Sequence, residues 1–147
     1  VKSTFDPMVQ EELDQWSLFL RLWREEEYFE CHEVLELLWM AAEGNARWRY
    51  QGLIHCAVAL HHLQQENWFG MARQWLRAGA KLSQFPQDQL DDECRQIWMQ
   101  TCRNVEAATD KLSRLECEKL RRLYSRLQKH QPFNTQIMPQ AGFFYDY

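Results

Sequence analysis

The stretch EYFECHEVLELLW, residues Glu27 to Trp39, has the pattern of a helix that is apolar on nearly every side. It nevertheless carries His32, Glu33 and Glu36 within little more than one turn. On a helix of about 3.6 residues per turn, these three side chains share one sector. The stretch therefore predicts a core helix of a helical bundle that carries either a polar site or an ordinary solvated face.

Start and stop signals divide the rest of the chain into further helices. Asp6-Pro7 places a capping acid before a proline whose fixed φ suits the first helical position. Gly44-Asn45 ends the second helix and Gln84-Phe85-Pro86 ends the fourth. The predicted helices cover about residues 7–25, 27–42, 47–65 and 67–82, and two more lie between 89 and 129 and join near Asp110.

The pattern indicates one fold class. No segment alternates polar and apolar residues long enough to predict a strand, so the fold is predicted to be all-α, a single compact bundle of five or six helices over residues 1–130. Short connections make helices two to four antiparallel neighbours. With 147 residues, 46% of them hydrophobic, the chain suffices for one such core.

The charge balance gives little reason to expect nucleic acid as a partner. The formal net charge is −4, so no general electrostatic attraction to phosphate backbones is expected. The last predicted helix does have a basic face, but Glu116 and Glu118 are interspersed in it, which is typical of a solvated face. An anionic partner for that face is the less favoured alternative.

The five cysteines make an odd count, show no C-x-x-C spacing and lie in apolar helical runs, so they are interpreted as reduced core thiols. No basic-plus-apolar leader is seen before the first helix, and no apolar run approaches the roughly 18 residues of a membrane span. A cytoplasmic location without a membrane span is therefore expected.

The third helix adds polar residues to those of the quoted stretch. Gln51, His55 and His62 lie on one stripe of that helix. If the second and third helices pair antiparallel, this stripe and His32 meet across their interface. The candidate polar pocket then contains His32, Glu33, Glu36, Gln51, His55, His62 and Asn67.

Two interpretations of this pocket are open. Histidine and carboxylate bind divalent metals, and a glutamate beside a bound water can act as a general base. The candidate metal ligands are His32, Glu36 and His62, although H-E-x-x-E is weaker evidence for zinc than H-E-x-x-H. The alternative is a structural network that ties neighbouring helices. Neither a phosphate-binding glycine loop, nor G-x-S-x-G, nor a dinucleotide fingerprint is present to favour an enzyme.

Tryptophans and one glycine mark the predicted core. Trp39, Trp48 and Trp75 fall on helix stripes that should be buried, and Gly52 accompanies them as a core position. Trp16 and Trp23 follow the same pattern. Only Trp68 and Trp98 are candidates for exposure.

An ordered series of motifs carries a family resemblance. Its members are His32, Glu33, Glu36, Trp39, Gln51, Gly52, His62, Asn67 and Gly70. This series resembles the domain of unknown function 309 family, small helical proteins with an H-E-x-x-E-x-x-W helix followed by Q-G and G-N motifs. The resemblance covers about residues 18–82 and implies a compact helical bundle, with no established activity. Glu66 departs from it, standing where the family usually has glycine, and so does His55, standing where an amide is expected.

The segment 87–147 looks like an individual extension of that family. Its last part, residues 131–147, is a tail with two prolines and five aromatic residues, expected to be extended and docked on the domain or on a second subunit. The favoured function is an interaction or scaffold module, with a protein partner or self-association through the C-terminal helix and tail. The alternative is a ligand- or metal-binding protein or small hydrolase that uses His32, Glu33, Glu36 and His62.

Overall fold

The computed structural model describes residues 6–130 and Phe133, and within them every regular element is a helix. The predictions of an all-α fold and of a break near Asp110 are confirmed, because the last helical region divides at a 3₁₀ turn, Thr109–Lys111. A second 3₁₀ turn covers Gln87–Gln89. The six helices are α1 (Pro7–Arg24), α2 (Tyr28–Ala41), α3 (Ala46–Gln64), α4 (Trp68–Gln84), α5 (Asp92–Ala108) and α6 (Arg114–His130).

Side-chain caps begin four of these helices. Asp6, Asn67 and Asp91 each accept a hydrogen bond from a backbone N–H in the first turn of α1, α4 and α5. At α6, Ser113 and Glu116 form a reciprocal capping box. The caps satisfy N–H groups that the helix itself leaves without partners, so these four helices start where the sequence provides an acceptor.

Helix α3 lies at the centre and packs against α2, α4 and α5, while α1 packs on α2 and α6 packs on α4. Helices α2, α3 and α4 are antiparallel neighbours. Phe29 near the start of α2 contacts His61 near the end of α3, and Gly52 in the first half of α3 lies against Leu82 near the end of α4. Gly52 allows α4 to approach closely, because a methyl group there would lie 2.5 Å from Cγ of Leu82. The largest fully buried side chains include Phe19, Leu35, Leu53, Leu60, Met71, Trp75, Leu76, Leu82, Val105 and Leu120.

The α1–α2 and α3–α4 connections share one backbone geometry. Glu26 and Glu66 have φ of 60° and 57°, in the left-handed region that favours glycine. The next residue in each connection, Glu27 or Asn67, donates its backbone N–H to a carbonyl one turn back, at 2.9 Å. Glu66 thus adopts the conformation for which the resembling family usually has glycine, and the turn forms nonetheless.

The burial of several tryptophan side chains differs from what the sequence predicted. Trp98 was expected to be a candidate for exposure, but it is only 4% exposed and stacks on Trp75 with ring centroids 6.4 Å apart. The reason is that α5 packs on both α3 and α4. Trp39 and Trp48 were expected in the core and are half-buried, covered by the cationic groups of Arg47 and Lys81. Trp23, Trp75 and Gly52 are buried, and Trp16 and Trp68 are half-buried.

All five cysteines are free thiols, and four of them are buried, with Cys117 half-buried. Burial raises the pKa of the Cys31 and Cys102 thiols to about 12, so both are neutral at physiological pH. No helix in the described part of the chain combines the length and the apolar character needed to cross a bilayer. The expectation for the tail lies outside the described residues, apart from Phe133, which is buried and stacks on Tyr124.

Candidate functional site

The polar residues of the quoted stretch form a pair within one helix. Nε2 of His32 donates to Oε1 of Glu36 at 2.9 Å, with the two side chains 26% and 51% exposed. Glu33 is exposed to solvent. On the same side of α2, Nδ1 of His32 and Nε1 of Trp39 are buried and have no hydrogen-bond partner among the residues that the structure describes. Such atoms usually bind water or a ligand, because an unpaired buried polar group costs about 1 to 3 kcal/mol.

His55 pairs with a different helix. Its Nδ1 lies 2.7 Å from the side-chain oxygen of Gln74 on α4, which makes Nδ1–H the donor. Burial, opposed by the hydrogen bond to Gln74, lowers the pKa of His55 to about 4. Lys81 and Arg77 lower the pKa further. His55 is therefore a neutral structural link between α3 and α4 at physiological pH.

His62 and Asn67 join at the α3–α4 turn. Nδ2 of Asn67 lies 3.2 Å from Nδ1 of His62, and Oδ1 of Asn67 accepts from the backbone N–H of Gly70. A methyl group at Gly70 would lie 2.6 Å from Nδ2 of Asn67, which explains the glycine there. Burial, His61 and Arg73 lower the pKa of His62. Asn67 thus caps α4 and holds His62 at once.

The candidate pocket is consequently a set of separate pairs. His32, His55 and His62 each have their own partner, and Gln51 is half-buried on α3. Across residues 6–130 and Phe133, no three His, Cys, Asp or Glu side chains are grouped so that they could hold a metal ion. The structure therefore does not bring His62 together with His32 and Glu36, and these two alone do not make up the donor set of a metal centre.

A second polar region lies between α4 and α6. It is an open groove of about 650 Å³ with Phe69 and Leu123 as its apolar lining residues. Its remaining lining residues are Arg73, Arg77, Lys119, Arg121, Arg122, Ser125 and Arg126. Six of these nine residues are cationic and none is acidic, so the groove is strongly electropositive although the chain as a whole is acidic. We refer to it as the basic groove.

Five of the six cations that line the basic groove form no ion pair with a carboxylate of the described residues. Within the described residues, no carboxylate forms an ion pair with the two groove arginines of α4, Arg73 and Arg77. The same holds for three groove cations of α6, which are Lys119, Arg122 and Arg126. Burial, Arg73 and Arg126 lower the pKa of Arg77, the sign expected when like charges crowd together. The guanidinium of Arg73 lies over the ring of Phe69, and its buried Nε lacks an acceptor.

Carboxylates line another part of the surface. A groove of about 550 Å³ between α1 and α2 is lined by Glu11, Glu12 and Glu43 together with exposed apolar side chains such as Met8 and Leu37. Charge of opposite sign is thus separated across the molecule. The net charge alone conceals this separation, because it averages the two surfaces.

Sequence reasoning identified half of the basic groove and assigned it to a solvated face. The basic face of the last helix was recognised, and Arg121 and Arg122 lie on it, whereas Arg73 and Arg77 on α4 were missed. A signal was available, since Arg73 and Arg77, like Arg122 and Arg126, are spaced four apart and lie on one helix face. Only the packing of α6 on α4 brings the two rows together.

The family resemblance is confirmed for the first four helices. Residues 16–74 match the family model described as Domain of unknown function (DUF309). The match ends within α4, so the whole of α6, and with it one side of the basic groove, lies outside it. The matched range also stops before residue 82, where the resemblance was expected to end.

A curated relative matches a similarly short stretch. Over 48 residues the chain is 46% identical to "Uncharacterized protein YpuF" of Bacillus subtilis (strain 168). The aligned stretch covers 32% of this chain and 28% of that protein, little more than a quarter of the relative's length. No solved structure matches the chain.

Proposed function

We propose that this chain is a helical binding module whose basic groove holds an anionic partner. The observation that carries the proposal is the lining of the groove, where six cations from α4 and α6 surround about 650 Å³ and none of the described lining residues is a carboxylate. Like charges at this density repel one another and destabilise the free protein. A bound anion removes that repulsion, so the groove gains more from an anion than an ordinary solvated face does.

The polar residues of α3 and α4 support the proposal that binding belongs to the basic groove and that the histidines have a structural role. His55 and His62 are each satisfied by an amide side chain next to them, as expected of groups that hold helices together. The favoured sequence interpretation, an interaction module with a structural His/Glu cluster, is therefore extended by naming the surface that binds. The C-terminal helix, which was expected to take part in a protein contact or self-association, supplies one wall of the groove, and the proposal assigns this wall to an anionic partner instead.

Retention on heparin–agarose, a generic polyanionic matrix, tests the proposal. A protein of net charge −4 has no overall attraction to this matrix, so retention reports a local basic surface. We expect the wild type to bind at low salt and to elute as sodium chloride is raised, because the interaction is electrostatic. The double variant R122E/R126E is expected to flow through, since both side chains are exposed and line the groove.

The matched control is R103E/R114E, which makes the same change in net charge at exposed positions outside the groove lining. The side chain of Arg114 is 94% exposed. This control is expected to elute with only a small shift relative to the wild type. If the wild type is not retained, or if the two double variants elute at the same salt concentration, the basic groove is not an anion-binding surface.

A second candidate function rests on the two partnerless atoms of α2, Nδ1 of His32 and Nε1 of Trp39. The sequence suggested this ligand- or metal-binding protein or small hydrolase with His32, Glu33, Glu36 and His62; its site would be centred on the His32–Glu36 pair, since His62 is paired with Asn67 instead. Elemental analysis of the purified protein and of H32A tests the metal form of it. A near-stoichiometric metal that disappears in H32A would support this candidate, whereas equal metal content in both proteins would remove His32 from consideration as a ligand.

A further inference from the structure

The size of the basic groove limits what it accommodates. Its cations on α6 run from Lys119 to Arg126, and those on α4 are Arg73 and Arg77. At about 1.5 Å rise per residue, the longer row spans roughly 10 Å. The volume of about 650 Å³ lies within the range of sites that hold small molecules and cofactors, roughly 300 to 1,000 Å³. The groove is thus short, wide and flanked by charge on two sides.

The two rows of charge face the same volume and run in the same direction. Lys111, just before α6, lies over the ring of Trp68 at the start of α4, with its Nζ 6.0 Å from the ring centroid. Further along both helices, Arg126 is close enough to Arg77 to lower its pKa. An anion between the helices would therefore meet the guanidinium groups of Arg73 and Arg77 on one side and the cations of α6 on the other.

Classes of anion differ in how much negative charge they can place within the length of the groove. An extended peptide advances about 3.3 Å per residue, so about three residues span the groove and carry at most one carboxylate each. A nucleic acid strand brings one charge per phosphate, at about 3.4 Å per nucleotide along a duplex axis, and again places about three charges there. Directly linked phosphates concentrate more charge, because a terminal phosphate alone carries about −1.5 to −2 at neutral pH.

The residue types favour phosphate as well. Five of the six cations are arginines, whose planar guanidinium forms paired hydrogen bonds with phosphate oxygens. Among the described residues, the buried Nε of Arg73 has no acceptor, and an oxyanion at this end of the groove would supply one. The sequence contains no phosphate-binding glycine loop, so recognition would rest on side chains of two helices rather than on backbone N–H groups.

We infer that the basic groove binds a ligand with two or more directly linked phosphate groups, held between the arginines of α4 and those of α6. The inference rests on the proposed function and specifies its ligand. Two sources present this chemistry, an inorganic oligophosphate and the phosphate chain of a nucleotide. In the second case the remainder of the ligand lies against Phe69 and Leu123, the apolar residues of the groove lining.

Isothermal titration calorimetry at low salt, without divalent cations, tests this inference. The probes are tripolyphosphate, ATP, AMP and inorganic phosphate. We expect tripolyphosphate and ATP to bind at least tenfold more tightly than AMP and phosphate. Equal affinity for the first two would identify the phosphate chain as the recognised group, while tighter binding of ATP would add a contribution from the nucleoside.

Two single variants of α6 locate the site. R122E reverses a charge in the groove lining, and R114E makes the same change on the same helix outside it. We expect R122E to weaken tripolyphosphate binding at least tenfold and R114E to leave it within about twofold. Equal weakening by both variants would overturn the inference, because the affinity would then reflect only net charge.

The remaining outcomes distinguish this inference from the proposed function. A glutamate-rich peptide and a short single-stranded oligonucleotide are titrated beside the phosphates. If either of them binds in a manner sensitive to R122E while tripolyphosphate binds no more tightly than inorganic phosphate, the basic groove is an anion site and the oligophosphate inference is wrong. If no probe binds and heparin does not retain the protein, both proposals fail.

Discussion

The polar cluster, formed by the candidate-pocket residues of α2, α3 and α4, differs in its electrostatics from the basic groove between α4 and α6. In the cluster, His55 and His62 are kept neutral by burial and paired with Gln74 and Asn67. In the groove, cations of α4 and α6 face one another, and none of the lining residues within the described part of the chain is a carboxylate. The first arrangement stabilises the helix packing, and the second opposes it.

This difference indicates where function is to be sought. A folded domain normally satisfies its buried polar groups and disperses like charges, and the exceptions are concentrated at functional sites. By that criterion His55 and His62, each paired with an amide side chain, have the character of structural groups, whereas His32 keeps one unpaired buried atom among the described residues. The groove, which is completed by a helix outside that segment, is the better candidate for binding.

Breaking a pair in the polar cluster should have the largest effect on the stability of the fold. Lowering the pH does this at His55, because protonation of the buried ring opposes its burial. Its pKa is about 4 in the folded protein against an ordinary value of 6.5, so between these values the unfolded chain binds a proton that the folded chain does not. Stability should therefore fall as pH drops from 6.5 to 4. The shift corresponds to a contribution of about 3 kcal/mol at most.

The variant H55Q isolates this contribution. Glutamine keeps an N–H donor for Gln74 but does not titrate, so the wild type should lose more stability than H55Q between pH 6.5 and pH 4 in urea titrations. H130Q, at an exposed position at the end of α6, is the control and should follow the wild type. Parallel pH curves for wild type and H55Q would mean that His55 is not buried as a neutral group.

Removing the cap that also holds His62 should have an intermediate effect. Asn67→Ala deletes the acceptor for the backbone N–H of Gly70 and should lower the free energy of unfolding by about 1 kcal/mol. Glu27→Ala is the control, because Glu27 occupies the same position in the α1–α2 turn without a side-chain cap bond. A change below about 0.5 kcal/mol is expected for it. Similar losses in the two variants would show that the cap bond contributes little.

Relieving repulsion in the basic groove should have the smallest effect and the opposite sign. Arg77→Gln removes a charge that Arg73 and Arg126 oppose, so stability should rise by about 0.5 kcal/mol or less. The gain should shrink as salt is added, because screening already weakens the repulsion. Thermal unfolding at low and high salt measures both effects, with Arg103→Gln as the control. A loss of stability at low salt would show that the groove charges are compensated after all.

The candidate site was only partly predictable. The sequence placed His55 and His62 on one helix stripe, and both do lie on α3 near polar partners. It did not predict that Gln74 would be the partner of His55, since that depends on how α4 is rotated against α3. Trp98 shows the same limit, because its burial follows from the contact of α5 with α3 and α4.

The sequence by itself determined the helices and their ends. Caps such as Asp6 and Asn67 and breaks such as Gly44 and Pro86 act over a few residues, so local chemistry is sufficient to place them. Only the tertiary structure decided which polar groups pair and which cations share a groove. Arg77 and Arg126 are far apart in the chain, and their proximity depends on the rotation and packing of α6 against α4, which no local pattern encodes.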